Sequence, residues 1–214
     1  QCLALPVLLG MPKLAVEIRE KQGRPISAFL RLPAFRLALC SAALGYAVMS
    51  FLMTAVPLQI VNVSLLGEAL NARVIQWHVI AMFAPSFFTG SLITRFGIRA
   101  IMTAGLVLYL AGIIVALSGL QFWHYFATLF FVGLGWNFLY IAGTSLVTLV
   151  TEPEERGRVQ GITDMTVFTA VACASLSAGI IHTIGGWHIM ALAALLPISI
   201  IGVTIAMTSK PSLP

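Results

Sequence analysis

The sequence predicts an all-α membrane protein built as a bundle of six transmembrane helices. Three observations lead there. Of 214 residues, 59% are hydrophobic and only 9% charged, too little charge to cover a water-exposed surface. Six apolar runs, at 37–61, 76–94, 100–118, 124–149, 162–182 and 189–208, approach or exceed the ~20 residues a helix needs to cross a ~30 Å hydrocarbon core. The basic residues, finally, gather in alternate breaks between those runs. No polar/apolar alternation runs through the segments, so helices that satisfy their own backbone hydrogen bonds are expected rather than barrel strands.

In chain order, QCLALPVLLGMP at 1–12 is apolar but too short to cross, and it lacks a basic leader region. It reads as the end of a truncated transmembrane helix. Residues 13–36 carry charges of both signs with Gly23 and Pro25, and form the cytoplasmic loop between two halves. A six-helix bundle then occupies 37–208, and 209–214 is a cytoplasmic tail. Pro57 and Pro85 are expected to bend the first and second spans. The third and sixth spans are the least polar and should face lipid. The fifth is rich in Ala and Ser, which permits close helix packing.

Orientation follows from the basic residues. Of the twelve Lys and Arg, only Arg73 falls on the side opposite to the others. The arginine-rich side is therefore cytoplasmic, and the net charge of +5 is a topology signal that excludes a nucleic-acid partner. Trp77-His78, Trp123-His124 and Trp187-His188 each open a span from the outer side, where amphipathic rings favour the interface. The three cysteines have no ligand-like spacing, and no metal is expected.

The fourth span places Gly133, Asn137, Tyr140, Thr144 and Thr148 on one helical face, with Trp136 beside it. Asn137 in mid-membrane is costly to expose to lipid, so it should line a wet cavity or bond a neighbouring helix. The first span has a matching stripe of Tyr46, Ser50 and Thr54. Leu44-Gly45-Tyr46 and Leu134-Gly135-Trp136 occur in spans of opposite direction, as a 3+3 inverted repeat would place them. Tyr46, Ser50, Thr54, Trp136, Asn137, Tyr140 and Thr144 are the candidate substrate cavity, suited to an uncharged or aromatic solute.

With these features assembled, the chain resembles the C-terminal six-helix half of the major facilitator superfamily, in a bacterial-permease form. The stretch GSLITRFGIRA at 90–100 is similar to the loop between the second and third helices of a half: Gly90, Arg95, Gly97 and Arg99 match, and Thr94 stands where an Asp is usual. TEPEERGRVQG at 151–161 resembles the Arg-Gly-Arg loop between the fourth and fifth. The resemblance implies half of a 12-helix fold, with alternating access around a midplane site. It also implies a cytoplasmic gate formed by Arg95, Arg99, Glu154, Glu155, Arg156, Arg158 and Asp164. The carrier would sit in a bacterial inner membrane, and its partners would be lipid, a small solute and the N-terminal half of the same protein.

Enzyme signatures such as G-x-S-x-G and H-E-x-x-H are absent, and neither a catalytic residue nor a cofactor is expected. A self-contained six-helix channel or accessory membrane protein is the alternative.

Overall fold

The computed structural model describes residues 23–208. The apolar stretch at 1–12, the first part of the connection at 13–36 and the tail at 209–214 lie outside the described residues. A short helix, α1 (Ile26–Arg31), leads into α2 (Pro33–Pro57), which opens on a proline at its first position, where the missing N–H costs nothing. Pro57 cannot donate to the carbonyl one turn back, and the winding widens beyond it into a π-helical turn, Leu58–Val63. The expected bend is thus expressed as a change of helical pitch.

The second apolar run is two helices, α3 (Glu68–Phe83) and α4 (Ser86–Phe96), bent by 42° across Ala84 and Pro85. Pro85 again breaks the backbone ladder. α3 begins well before the apolar run, with Glu68 in its first turn, where the helix dipole favours an acid. Gly97, at φ 86°, supplies the left-handed turn into α5 (Ile98–Ser118). A long continuous helix follows, α6 (Phe122–Val150), and then α7 (Arg156–Met207). Among the described residues, four helical runs are long and apolar enough to cross a membrane, five if the bent pair is one span.

α7 has 52 residues, which laid straight would extend about 78 Å. It is not straight. Gly186 sits at φ 63°, ψ −170°, a conformation that is costly for any residue with a side chain. Before the break, Ser175 pairs with Ser50 and His182 with Gln59, both on the α2 run. Beyond it, the Trp187 indole donates to the Ala116 carbonyl near the end of α5, whereas Ala206 lies against Arg99 at the start of α5. The arm after Gly186 therefore runs antiparallel to α5. Trp187 is only 2% exposed and closes the end of α5, which does not fit the interface anchor expected of it, whereas Trp77 and Trp123 are 46% and 68% exposed. The reason is local: carbonyls in the last turn of a helix lack intrahelical partners, and the Gly186 break brings the indole to one of them.

The core lies between α2, α5, α6 and α7, around Leu52, Met102, Tyr109, Leu129 and Leu139, all fully buried. α5 and α6 cross closely at Gly105 and Gly135, and Tyr109 of α5 donates to the Gly45 carbonyl of α2 at 2.6 Å. Apolar side chains at helical spacing face outward on α5 (Val107, Leu110, Ile114) and after Gly186 (Leu192, Leu196, Ile200, Val203). In a membrane this is surface offered to lipid.

Candidate functional site

Trp136 and Tyr140, one turn apart on α6, stack at 5.1 Å with 10° between their planes. Tyr46 of α2 meets both edge-on, at 5.0 and 5.5 Å. Phe83, the last residue of α3, packs on Trp136 at 5.9 Å, and Phe168 of α7 tilts onto Tyr46 at 6.2 Å. Five rings from four helices thus form one continuous wall in geometries that aromatic quadrupoles favour. Trp136 is buried, Tyr46 and Tyr140 are half-buried, and Phe83 and Phe168 are exposed. The wall itself carries no formal charge. Asp164, one turn before Phe168, accepts a hydrogen bond from Gln160 at 2.9 Å.

The polar candidates are differently engaged. Asn137 is fully buried and donates from Nδ2 to the Met82 carbonyl and to Ser86 Oγ, each at 2.6 Å. Thr89 donates to its Oδ1, also at 2.6 Å. All three partners flank the break between α3 and α4, so Asn137 pins that bend directly behind the ring wall. Ser50 shares a hydrogen bond of 2.7 Å with Ser175, joining α2 to α7. Thr144 donates back to the Tyr140 carbonyl of its own helix at 2.9 Å, and Thr54 is exposed.

At the arginine-rich end, the ion pair among the described residues joins Glu155 to Arg24. The Arg24 backbone N–H reaches Glu155 Oε1 at 2.7 Å, and its guanidinium reaches both carboxylate oxygens. Glu155 is 4% exposed, and Arg24 also lies over the Phe29 ring at 4.5 Å. The Arg24 guanidinium holds the Glu155 carboxyl down to about 2. Arg158 donates to the Arg24 carbonyl. Arg95 instead lies over Phe96, its guanidinium 5.2 Å from the ring centre, and Arg99 points to the Ala206 carbonyl at 3.5 Å. Glu154 and Arg156 are exposed. Among the described residues, then, neither Arg95 nor Arg99 pairs with Glu154, Glu155 or Asp164. Gly90 has open space around it and makes no close helix contact.

A second polar cluster lies at the opposite end, on the π-helical turn. Gln59 Nε2 donates to Tyr125 OH at 3.1 Å and Ser64 Oγ at 3.3 Å, and those two hydroxyls are 2.8 Å apart. His182 Nε2 is 2.9 Å from Gln59 Oε1. Sequence reasoning missed Phe83, Phe168, Arg24 and this cluster. The spacing of Asp164, Phe168 and Ser175 on one face of α7 was a signal for Phe168. Nothing in the sequence sets Arg24 against Glu155, which is 131 positions away.

A family model of the Major Facilitator Superfamily matches residues 37–213. The chain is 45% identical over 192 residues to the riboflavin transporter RfnT of Brucella anthropi, covering 87% of this chain and 48% of that protein. It is 36% identical over 110 residues to the uncharacterized MFS-type transporter YdeG of Bacillus subtilis, covering 50% of this chain and 26% of that one. A second uncharacterized MFS-type transporter of that organism, YddS, is 29% identical over 167 residues, 76% and 38% of the two lengths. The chain spans about half the length, or less, of these curated relatives. With that match over most of its length, the chain belongs to the Major Facilitator Superfamily, a family of membrane transporters rather than enzymes.

Proposed function

We propose that this chain is one six-helix half of a secondary transporter that moves a small, flat, uncharged organic solute by alternating access. The six spans are α2 with its π-helical turn, the bent pair α3–α4, α5, α6 and the two arms of α7, arranged as a 3+3 inverted repeat. Support for separate arms comes from the Gly186 break and the antiparallel hydrogen bonds along α5. The arginine-rich end is cytoplasmic by the positive-inside bias, and the membrane is a bacterial inner membrane. An N-terminal half faces the ring wall and completes the cavity.

The observation that carries the solute class is the wall of Phe83, Tyr46, Trp136, Tyr140 and Phe168. Half-exposed rings without fixed charge, inside a membrane, favour a planar solute that stacks and does not need a counter-ion. Tyr46, Trp136 and Tyr140 form the contact surface, flanked by Ser50, Thr54 and Thr144, and Asn137 holds the wall from behind. Arg95, Arg99, Glu154, Arg156, Arg158 and Asp164 belong to the cytoplasmic gate. Arg24 and Glu155 clamp the start of α7 within it. The relative that carries riboflavin makes that flat, neutral molecule the first solute to test.

The test is uptake of labelled riboflavin by a riboflavin auxotroph expressing the full-length carrier. Saturable uptake is expected, with Trp136→Leu weakening apparent affinity about tenfold or more, the worth of a lost stacking ring. Background uptake with the carrier present in the membrane, or unchanged kinetics in Trp136→Leu, would overturn the solute class.

A further inference from the structure

We infer that the arginine-rich end of the bundle holds a site for one anionic phospholipid, seated between the start of α2 and the end of α7. A cavity of about 400 Å³ opens there, within the ~300–1,000 Å³ typical of small-molecule sites. Leu30 of α1, Leu39 of α2 and Met207 of α7 belong to its apolar wall, with Cys40 one turn inside Arg36. Thr204 and Thr208 also line it, but their hydroxyls donate to carbonyls of α7 itself, at Ile201 and Thr204. Among the described residues, Arg36 is thus the one charged group on an otherwise apolar wall.

Two features select a lipid over a water-soluble occupant. The first is the way in. The outward apolar stripe after Gly186, with Leu196, Ile200 and Val203, continues at helical spacing to Met207, which is 80% exposed on the cavity wall. Surface offered to hydrocarbon therefore leads directly to the cavity. The second is the order of groups with depth. Arg36 is in the first turn of α2, and Cys40 follows one turn, about 6 Å, further into the bundle. A cation at the membrane edge with apolar wall beneath it matches a phospholipid, whose phosphate is outermost and whose chains lie below.

The charges around the rim select an anionic headgroup. A guanidinium carries paired N–H donors that match two phosphate oxygens, and Arg36 is exposed at the cavity. Arg31 ends α1 one residue after Leu30, and Arg99 reaches the Ala206 carbonyl beside Met207. No carboxylate among the described residues lines the cavity. The acids nearest in the fold belong to the connection between α6 and α7 and to the first arm of α7, and Glu155 there is held by Arg24. A zwitterionic headgroup would bring its own cation among three arginines, whereas a headgroup with net negative charge meets only attraction. Once seated, the lipid would join α1, the start of α2 and the end of α7.

The site requires a chain embedded in a bilayer and no particular solute, so its test is independent of riboflavin. Cys40 reports on the cavity. In the purified, delipidated full-length carrier with Cys40 as its only cysteine, phosphatidylglycerol at about ten times its Kd should slow maleimide labelling about tenfold. Native mass spectrometry should show one such lipid retained. Arg36→Gln should raise the concentration for half-protection about tenfold, the effect of one lost charge-assisted contact. Arg31→Gln removes the same charge off the cavity wall and should change it less than about threefold. Phosphatidylcholine with the same chains should protect far less, and glycerol phosphate, which has no chains, should not protect. Equal protection by phosphatidylcholine would overturn the anionic site and leave the cavity to a hydrocarbon chain alone. Equal losses in Arg36→Gln and Arg31→Gln would assign the effect to diffuse surface charge, and protection by glycerol phosphate would assign it to a soluble phosphate compound. Labelling indifferent to every lipid, or a Cys40 that stays unreactive with no lipid retained, would also overturn the inference.

Discussion

Replacing Asn137 by Leu should destabilise the protein measurably, because the side chain holds three short hydrogen bonds in a dry place. Its Nδ2 engages Met82 O and Ser86 Oγ, and its Oδ1 accepts from Thr89, all at 2.6 Å with no exposure of the residue. Hydrogen bonds between membrane helices average ~0.6 kcal/mol and reach ~1.7. Three of average strength give about 2 kcal/mol, and Leu restores none of them while keeping much of the volume. Met82 is the next-to-last residue of α3, so its carbonyl belongs to the set a helix end leaves without intrahelical partners. At ~2–4 °C per kcal/mol for a chain of this size, the thermal midpoint of the purified carrier should fall by about 4–8 °C. Thr89→Val alone should cost about a third of that, and the double variant less than the sum of the two singles. A midpoint within a degree of wild type would refute the pinning role and return the Asn137 amide to the cavity.

Two further outcomes follow from the Arg24–Glu155 pair and from the crossing of α5 with α6. Arg24 depresses the Glu155 carboxyl from 4.5 to about 2, so the stability this pair supplies is complete above pH ~4.5 and is lost as pH falls toward ~2. Glu155→Gln should flatten the dependence of the thermal midpoint on pH in that window, and parallel curves for the two proteins would exclude the pair as its source. Gly135→Ala places a methyl carbon 2.6 Å from the Tyr109 ring and 2.9 Å from the Gly105 carbonyl, which should cost about 1–3 kcal/mol as overpacking. Gly161→Ala, with nothing within 4 Å, is the matched control, and equal midpoints for the two would mean that α5 and α6 do not cross tightly.

The apolar runs made the helices legible, because hydrocarbon thickness imposes one length on every span. The interruptions were legible in part. Pro57 and Pro85 marked two of them, and the gap between the runs at 162–182 and 189–208 marked the third, but only the returning contacts at Ala116 and Ala206 show what Gly186 does within it. Of the candidate cavity residues, Tyr46, Trp136 and Tyr140 meet as one cluster. The polar members of the same stripes were harder to read, because a polar side chain in a membrane takes whichever partner is nearest. Ser50 found Ser175 and Asn137 found the α3–α4 break, partners on helices whose rotation no single span reveals. The arginines posed a similar difficulty. Their number fixed a topology signal, but Glu155 pairs with Arg24 rather than with Arg95 or Arg99, and such pairing depends on where loops fold.

The distribution of these interruptions also bears on how a solute would be handled. Three of the four helices that contribute a ring to the wall are broken: the α2 run by its π-helical turn, α3 by its end at the Pro85 bend, and α7 at Gly186. The fourth, α6, is continuous over 29 residues and is packed against α5 through the Gly105–Gly135 crossing. Trp136 and Tyr140 therefore sit on the stiffest element, whereas Phe83, Tyr46 and Phe168 sit on elements with a place to bend. A flat solute stacked on the α6 pair would be held against a fixed surface while the other rings move on and off it. Each of those rings shares its helix with a polar contact: Phe83 adjoins Met82, whose carbonyl Asn137 holds, Tyr46 shares the α2 run with Gln59, and Phe168 shares α7 with His182. In the proposed carrier, closure around a solute and the state of those contacts would be properties of the same three helices, which is the arrangement that coupling between sites requires.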